Sequence, residues 1–164
     1  MMIEMRDDDW ETPDDIRDLR QPEHLLVWAL RAIAVGHADC PAVRQAFNAA
    51  CGASGDMVRM GYFLLVRQIG VTGRRRLKLH MPGCVCLSPD ERSIVAVVAA
   101  AQDAVRTGDE TRLRAHLRWL TEGEPPQSVL NVAREVASAF QDNGHRLPLR
   151  MSAPPPEHTG FTLH

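Results

Sequence analysis

Cys84 and Cys86 stand two residues apart in "HMPGCVCLSPDE", residues 80–91, with His80 four positions ahead of the first thiol. In an extended chain two side chains at this spacing share one face, with backbones about 6.5 Å apart. A modest bend then brings both sulfurs to one zinc ion, whose bonds to sulfur are about 2.3 Å. Gly83 supplies the freedom to turn, and "HADC" further up the chain offers His37 and Cys40. The candidate metal set is therefore Cys84, Cys86, His80 and Cys40, with His37 in reserve and zinc as the ion.

A helix start at Ser88 would place a positive dipole end near the thiols and lower their pKa, so thiol redox chemistry is the second candidate. Packing competes with both. Free cysteine is among the most buried residue types and acts as a small apolar side chain. Cys-x-Cys alone is a weak signal beside paired Cys-x-x-Cys motifs. On that reading "MPGCVCL" is a turn that tucks sulfur and valine against helices, with no cofactor. Cys51 falls outside the metal set. It follows Cys40 by eleven residues across one predicted helix, about 16 Å at 1.5 Å per residue, and reads as a buried apolar residue.

The second constellation is basic. Arg74, Arg75, Arg76 and Lys78 cluster in "GRRRLKLH", and such clusters can grip phosphates. No aromatic residues interleave with them and the chain has one tyrosine, so base stacking has no platform. A solvated loop, or a docking strip for the acidic N-terminal segment, explains the cluster equally. His24, His37, His116 and His145 fall near predicted helix ends or surfaces and read as caps or surface residues. No phosphate-binding glycine loop, serine elbow or paired-carboxylate motif is present, and no catalytic residue is assigned.

The elements that must position these residues are helical. "QPEHLLVWALRAIAVGH" has proline at a first helical position, an acid in the first turn and apolar Leu26, Ala29, Leu30 and Ile33 at steps of three and four, which predicts an amphipathic helix ending at Gly36. "DCPAVRQAFNAACG" predicts a short second helix capped by Asp39. "SGDMVRMGYFLLVRQIG" predicts a third, capped by Ser54 and apolar nearly all round, hence central and buried. Its surplus of apolar surface points to a homodimer.

"RRRLKLHM" alternates apolar and polar residues and predicts an extended segment over residues 74–82. One short strand cannot make a sheet alone, so it lies across the helices or pairs with a second subunit. Ser88 to Glu91 is a capping box with proline between, opening a fourth helix whose Ala99, Ala100 and Ala101 permit close approach. Leu113, Leu117 and Leu120 stripe a fifth helix, and Val129, Val132, Val136, Ala139 and Phe140 a sixth.

The expected architecture is thus an all-α bundle of about six helices over residues 21–145, with an acidic flexible arm at 1–20 and a proline-rich flexible tail at 146–164. At 164 residues, 45% apolar and 24% charged, the chain suits one globular domain. The first twenty residues carry eight acids against three arginines, so a total charge of −2 leaves +3 on the remainder. The N-terminus is unlike a secretory signal, and no apolar run reaches the roughly 20 residues of a membrane span. A cytoplasmic setting with reduced thiols is the expectation, with no membrane partner.

The turn Pro82, Gly83, Cys84 and Cys86, followed by "LSPDE" and "VAAAQDA", resembles a group of small helical alphaproteobacterial proteins whose function is not known. The resemblance covers residues 22–143. It implies a helical fold with the cysteine turn as a family feature, and it transfers no catalytic residue. The functional expectation is a non-enzymatic binding or regulatory module acting on a protein partner or on itself. The alternatives are a metal-binding or thiol-sensing protein built on Cys84 and Cys86, and a nucleic-acid-associated protein using residues 74–78.

Overall fold

The structure, a computed structural model, describes residues 15–150. Six α-helices run through the described residues: α1 Gln21–Ala34, α2 Pro41–Cys51, α3 Gly55–Thr72, α4 Pro89–Thr107, α5 Thr111–Thr121 and α6 Gln127–Asp142. The all-α bundle is as expected, and the local signals behind its boundaries are visible. Glu23 reaches back to accept the Arg20 N–H at 2.9 Å. Ser88 and Glu91 close a capping box at the start of α4. Gly108 ends α4 in the left-handed conformation at φ 81°, a shape only glycine adopts without steric cost.

Connections are short except for residues 73–88 between α3 and α4, and α4 packs against both α5 and α6, while α3 packs against α2 and α6. The central helix is α4. Ile94, Val97, Val98, Ala100, Ala101 and Ala104 are all sealed from solvent, and its alanine run lets neighbours approach on more than one side. A second focus of the core is aromatic. Phe47 lies 6.3 Å from Tyr62 and 6.4 Å from Phe140, centroid to centroid, and the Tyr62 hydroxyl donates to the Leu26 carbonyl at 2.8 Å.

Several sequence expectations are corrected. α3 is not buried all round: Val58, Tyr62, Leu65 and Ile69 face the core, while Met57, Met60, Leu64 and Val71 face solvent. A helix shows a continuous apolar circumference only if neighbours surround it, and α3 has neighbours on one side. Asp39 does not cap α2. Cys40 holds the cap position without a side-chain bond, and Asp39 turns to Arg59 at 3.1 Å. Ser54 makes no capping bond either, because a 3-10 turn, Gly52–Ser54, runs straight into α3. This join is tight enough that a β-carbon on Gly55 would collide with Asn48.

Packing on the core continues beyond α1 and α6 at both ends. A 3-10 turn at Ile16–Asp18 precedes α1, with Ile16 and Leu19 packed on the core. At the other end Leu147 is buried, its N–H donating to Gln102 Oε1 at 2.8 Å, and Arg150 pairs with buried Glu23 at 2.8 Å. The rest of the acidic arm and of the proline-rich tail lies outside the described residues. Residues 74–82, expected to be extended, form no strand; the chain bends at 74–75 and turns at 82–83. The one β-bridge among the described residues joins Asp15 to Cys86, antiparallel.

Candidate functional site

The cysteine turn is held by a charge cluster buried at the junction of α1 and α4. Arg31 lies on the inward face of α1 beside Val27 and Leu30. A cation there needs a carboxylate, and the start of α4 supplies one sixty residues away. Arg31 Nε donates to Glu91 Oε1 at 2.8 Å and Nη2 to Oε2 at 3.0 Å. Both side chains are sealed, at 2% and 0% exposure. The same guanidinium donates to the Cys84 carbonyl at 2.6 Å and the Cys86 carbonyl at 2.7 Å. From the opposite side the Ile16 N–H donates to the Val85 carbonyl at 2.7 Å. Alternate carbonyls of the Cys-Val-Cys unit are thereby pinned in opposite directions, which keeps it extended and its two cysteine side chains on one face.

The segment before it is held in the same way. Residues 74–79 alternate, with Arg74, Arg76 and Lys78 exposed and Arg75, Leu77 and Leu79 turned inward. With no neighbouring strand, its inward N–H groups still need acceptors. Two adjacent carboxylates provide them: Lys78 N–H donates to Asp90 Oδ2 at 2.6 Å and His80 N–H to Glu91 Oε1 at 2.9 Å. Ser88 Oγ donates to the Lys78 carbonyl at 2.6 Å. Arg75 grips Asp90 through two bonds, 2.9 and 2.7 Å, and its guanidinium lies 5.2 Å from the centre of the Trp119 ring. Asp90 and Glu91 thus cap a helix, replace a missing strand and neutralise two arginines.

Electrostatics follow from this packing. Burial pushes the Glu91 carboxyl up, but the Arg31 guanidinium and the N–H groups of Ser88 and His80 outweigh it and hold it below the ordinary value. Asp90 is held down against burial by Arg75 and the Lys78 N–H. At Cys86 the direction opposes the sequence expectation. Cys86 is raised, first by the charge of Cys84 and then by a hydrogen bond with the Cys84 thiol. Together with burial and the Asp15 charge they outweigh the lowering by the Arg31 charge.

Cys84 and Cys86 are therefore together, the first half-buried and the second exposed. His80 contributes its main-chain N–H to Glu91, and Cys40 sits at the cap of α2. Among the described residues no three histidine, cysteine or acidic side chains gather closely enough to hold an ion, so the four-residue set of Cys84, Cys86, His80 and Cys40 is not assembled. Cys51 is buried as expected. The basic cluster divides: Arg75 is committed to Asp90, and only Arg74, Arg76 and Lys78 face solvent. Of the acidic arm, Asp15 turns to Arg17 at 2.5 Å and not to this strip, and residues 7–14 lie outside the described residues.

His116 is buried, not superficial. Its Nδ1 finds no partner, and burial, with the Arg112 charge, pushes it down to about 4. Sequence reasoning missed Arg31 as an organiser. The signal was present: an arginine on the same helical face as Val27 and Leu30 demands a buried acid, and "PDE" supplies two.

No family model, no curated protein and no solved structure matches the chain. Among the described residues no helix is long and apolar enough to cross a membrane.

Proposed function

We propose that the protein is a non-enzymatic binding module whose first partner is a second copy of itself, joined through the outer face of α3. The observation that carries this reading is the exposure of Met57, Met60, Leu64 and Val71, at 75%, 62%, 43% and 75%. Their spacing of three, four and seven residues places them in one stripe. Large apolar side chains grouped in this way mark interaction surfaces, whereas scattered ones are ordinary.

Self-pairing follows from the pattern of the stripe. Asp56, near the start of α3, and Arg67, further along, flank the same edge, and both face solvent. An antiparallel two-fold pair brings the Asp56 end of one copy to the Arg67 end of the other, with Met60 and Leu64 meeting at the centre. A two-fold interface uses the same patch twice and requires this kind of self-complementarity. The rigid turn and buried charges lie apart from this stripe and supply the fixed scaffold beneath it.

The test is sedimentation equilibrium of the full chain beside a Met60→Glu/Leu64→Glu variant. Dimer in the first and folded monomer in the second is the expected result. A wild-type monomer across the micromolar range, or a dimer indifferent to both substitutions, overturns the reading.

A further inference from the structure

We propose that Arg74, Arg76 and Lys78 form a docking surface for an acidic segment of the same chain, Asp7 to Glu11. This goes beyond the self-association proposed for α3 and rests on separate residues.

The strip is charged and unanswered. All three side chains face solvent, and among the described residues no carboxylate pairs with any of them. Arg75, between them, takes Asp90 at 2.7 Å and Glu122 at 3.5 Å. The folded domain therefore leaves three cations side by side. Residues 4–14, outside the described residues, hold the complementary charge: Glu4, Asp7, Asp8, Asp9, Glu11 and Asp14 against Arg6.

The backbone sets where that segment departs. Asp15 bridges to Cys86 in antiparallel sense, and the Ile16 N–H donates to the Val85 carbonyl at 2.7 Å. Steps back from Asp15 therefore run toward Leu87 and then Ser88. Ser88 Oγ in turn donates to the Lys78 carbonyl at 2.6 Å. The acidic segment thus sets out from the Lys78 end of the strip. Its charges also match the strip in period. Glu11, Asp9 and Asp7 recur at steps of two, as Lys78, Arg76 and Arg74 do. In extended chain that step puts side chains on one face, roughly 6.6 Å apart. Glu11 then meets Lys78, Asp9 meets Arg76 and Asp7 meets Arg74. Ion pairs in water are individually weak, but tethering at Asp15 gives the segment a high local concentration at the strip.

Lys78 is the only lysine in the chain, so the contact can be tested by zero-length cross-linking. A water-soluble carbodiimide joins a carboxylate to an amine that it touches, and Lys78 carries the only side-chain amine. The full-length protein is treated at low ionic strength, digested and mapped by mass spectrometry. Mixing unlabelled with nitrogen-15-labelled chains separates links within a chain from links between copies. The expected product joins Lys78 to Glu11 or Asp9 within one chain. Its yield should fall at least fivefold in an Arg74→Gln/Arg76→Gln variant, whose fold circular dichroism checks. It should fall equally in wild type at 0.5 M salt, where charges are screened beyond about 4 Å. Links that are absent, lie mainly outside residues 7–11 or join different chains overturn the proposal. So does a yield indifferent to the two arginines or to salt. An unlinked strip that holds the chain on heparin would assign the surface to an external polyanion instead.

Discussion

The outer face of α3 and the junction of α1 with α4 are opposites in how they meet solvent. On α3, Met57, Met60, Leu64 and Val71 stand in water with no partner among the described residues. At the junction, Arg31 and Glu91 are sealed from water, and four main-chain groups converge on them: the Cys84 and Cys86 carbonyls and the His80 and Ser88 N–H groups. Burying a charge is costly unless its bonds are replaced, and here each guanidinium nitrogen of Arg31 and each carboxylate oxygen of Glu91 has a partner. Exposing apolar area is tolerated singly but not in a stripe. The difference teaches where rigidity and recognition lie: the polar node fixes a backbone, and the apolar stripe waits for a surface.

The comparison breaks most visibly at the node. Glu91→Gln leaves the buried Arg31 without its counter-charge and should destabilise the fold by about 3–5 kcal/mol, measured by urea denaturation. A loss within error would mean that the node is dispensable.

His116 tests a buried polar group that is not satisfied. Its folded value near 4 lies below the ordinary 6.5, so the unfolded chain takes up the proton first. Its contribution is present above pH 6.5 and is lost as pH falls toward 4, by about 3 kcal/mol in all. The depressed carboxylates Asp90 and Glu91 add a separate loss at lower pH, as they become protonated. A His116→Leu variant should keep its stability from pH 6.5 to 5, where the wild type declines. Parallel pH profiles would refute this.

Asp90→Asn sharpens the contrast within the node. It keeps the shape but weakens the Arg75 pair and the bond from the Lys78 N–H, for a loss of about 1–3 kcal/mol. Hydrogen exchange at Lys78 should accelerate while exchange in α6 stays unchanged. The smallest expected effect lies on α3, where Leu64→Glu should alter monomer stability by no more than about 0.5 kcal/mol, read from thermal melts at low protein concentration. A larger loss would show that the stripe serves the fold of the single chain.

Much of the bundle was legible in the chain because its signals are local. The Ser88–Glu91 capping box, the prolines in the first turns of α1, α2 and α4, and the stripe Leu113, Leu117 and Leu120 all act within about four residues. The same locality misled at α3, where Met57, Met60 and Leu64 read as core. Composition records that a side chain is apolar, not which neighbour covers it. The histidine reading failed for the same reason, since His116 looks superficial by position and is enclosed by packing. For the cysteine turn the spacing was legible, but which distant side chains come near it was not, and among the described residues no third histidine, cysteine or acid joins the pair.

By itself the sequence determined the helical class, the approximate ends of six helices, the alternating exposure of residues 74–79 and the placing of Cys84 and Cys86 two residues apart. Periodicity, capping and turn chemistry are carried by residues adjacent along the chain. Only the tertiary structure decided that Arg31 meets Glu91, that Asp90 and Glu91 stand in for an absent strand, that Arg75 is withdrawn from the basic strip and that one face of α3 is left bare. Those outcomes depend on which distant groups share a buried volume, where an unpaired charge or an orphaned N–H costs several kcal/mol and so admits few arrangements.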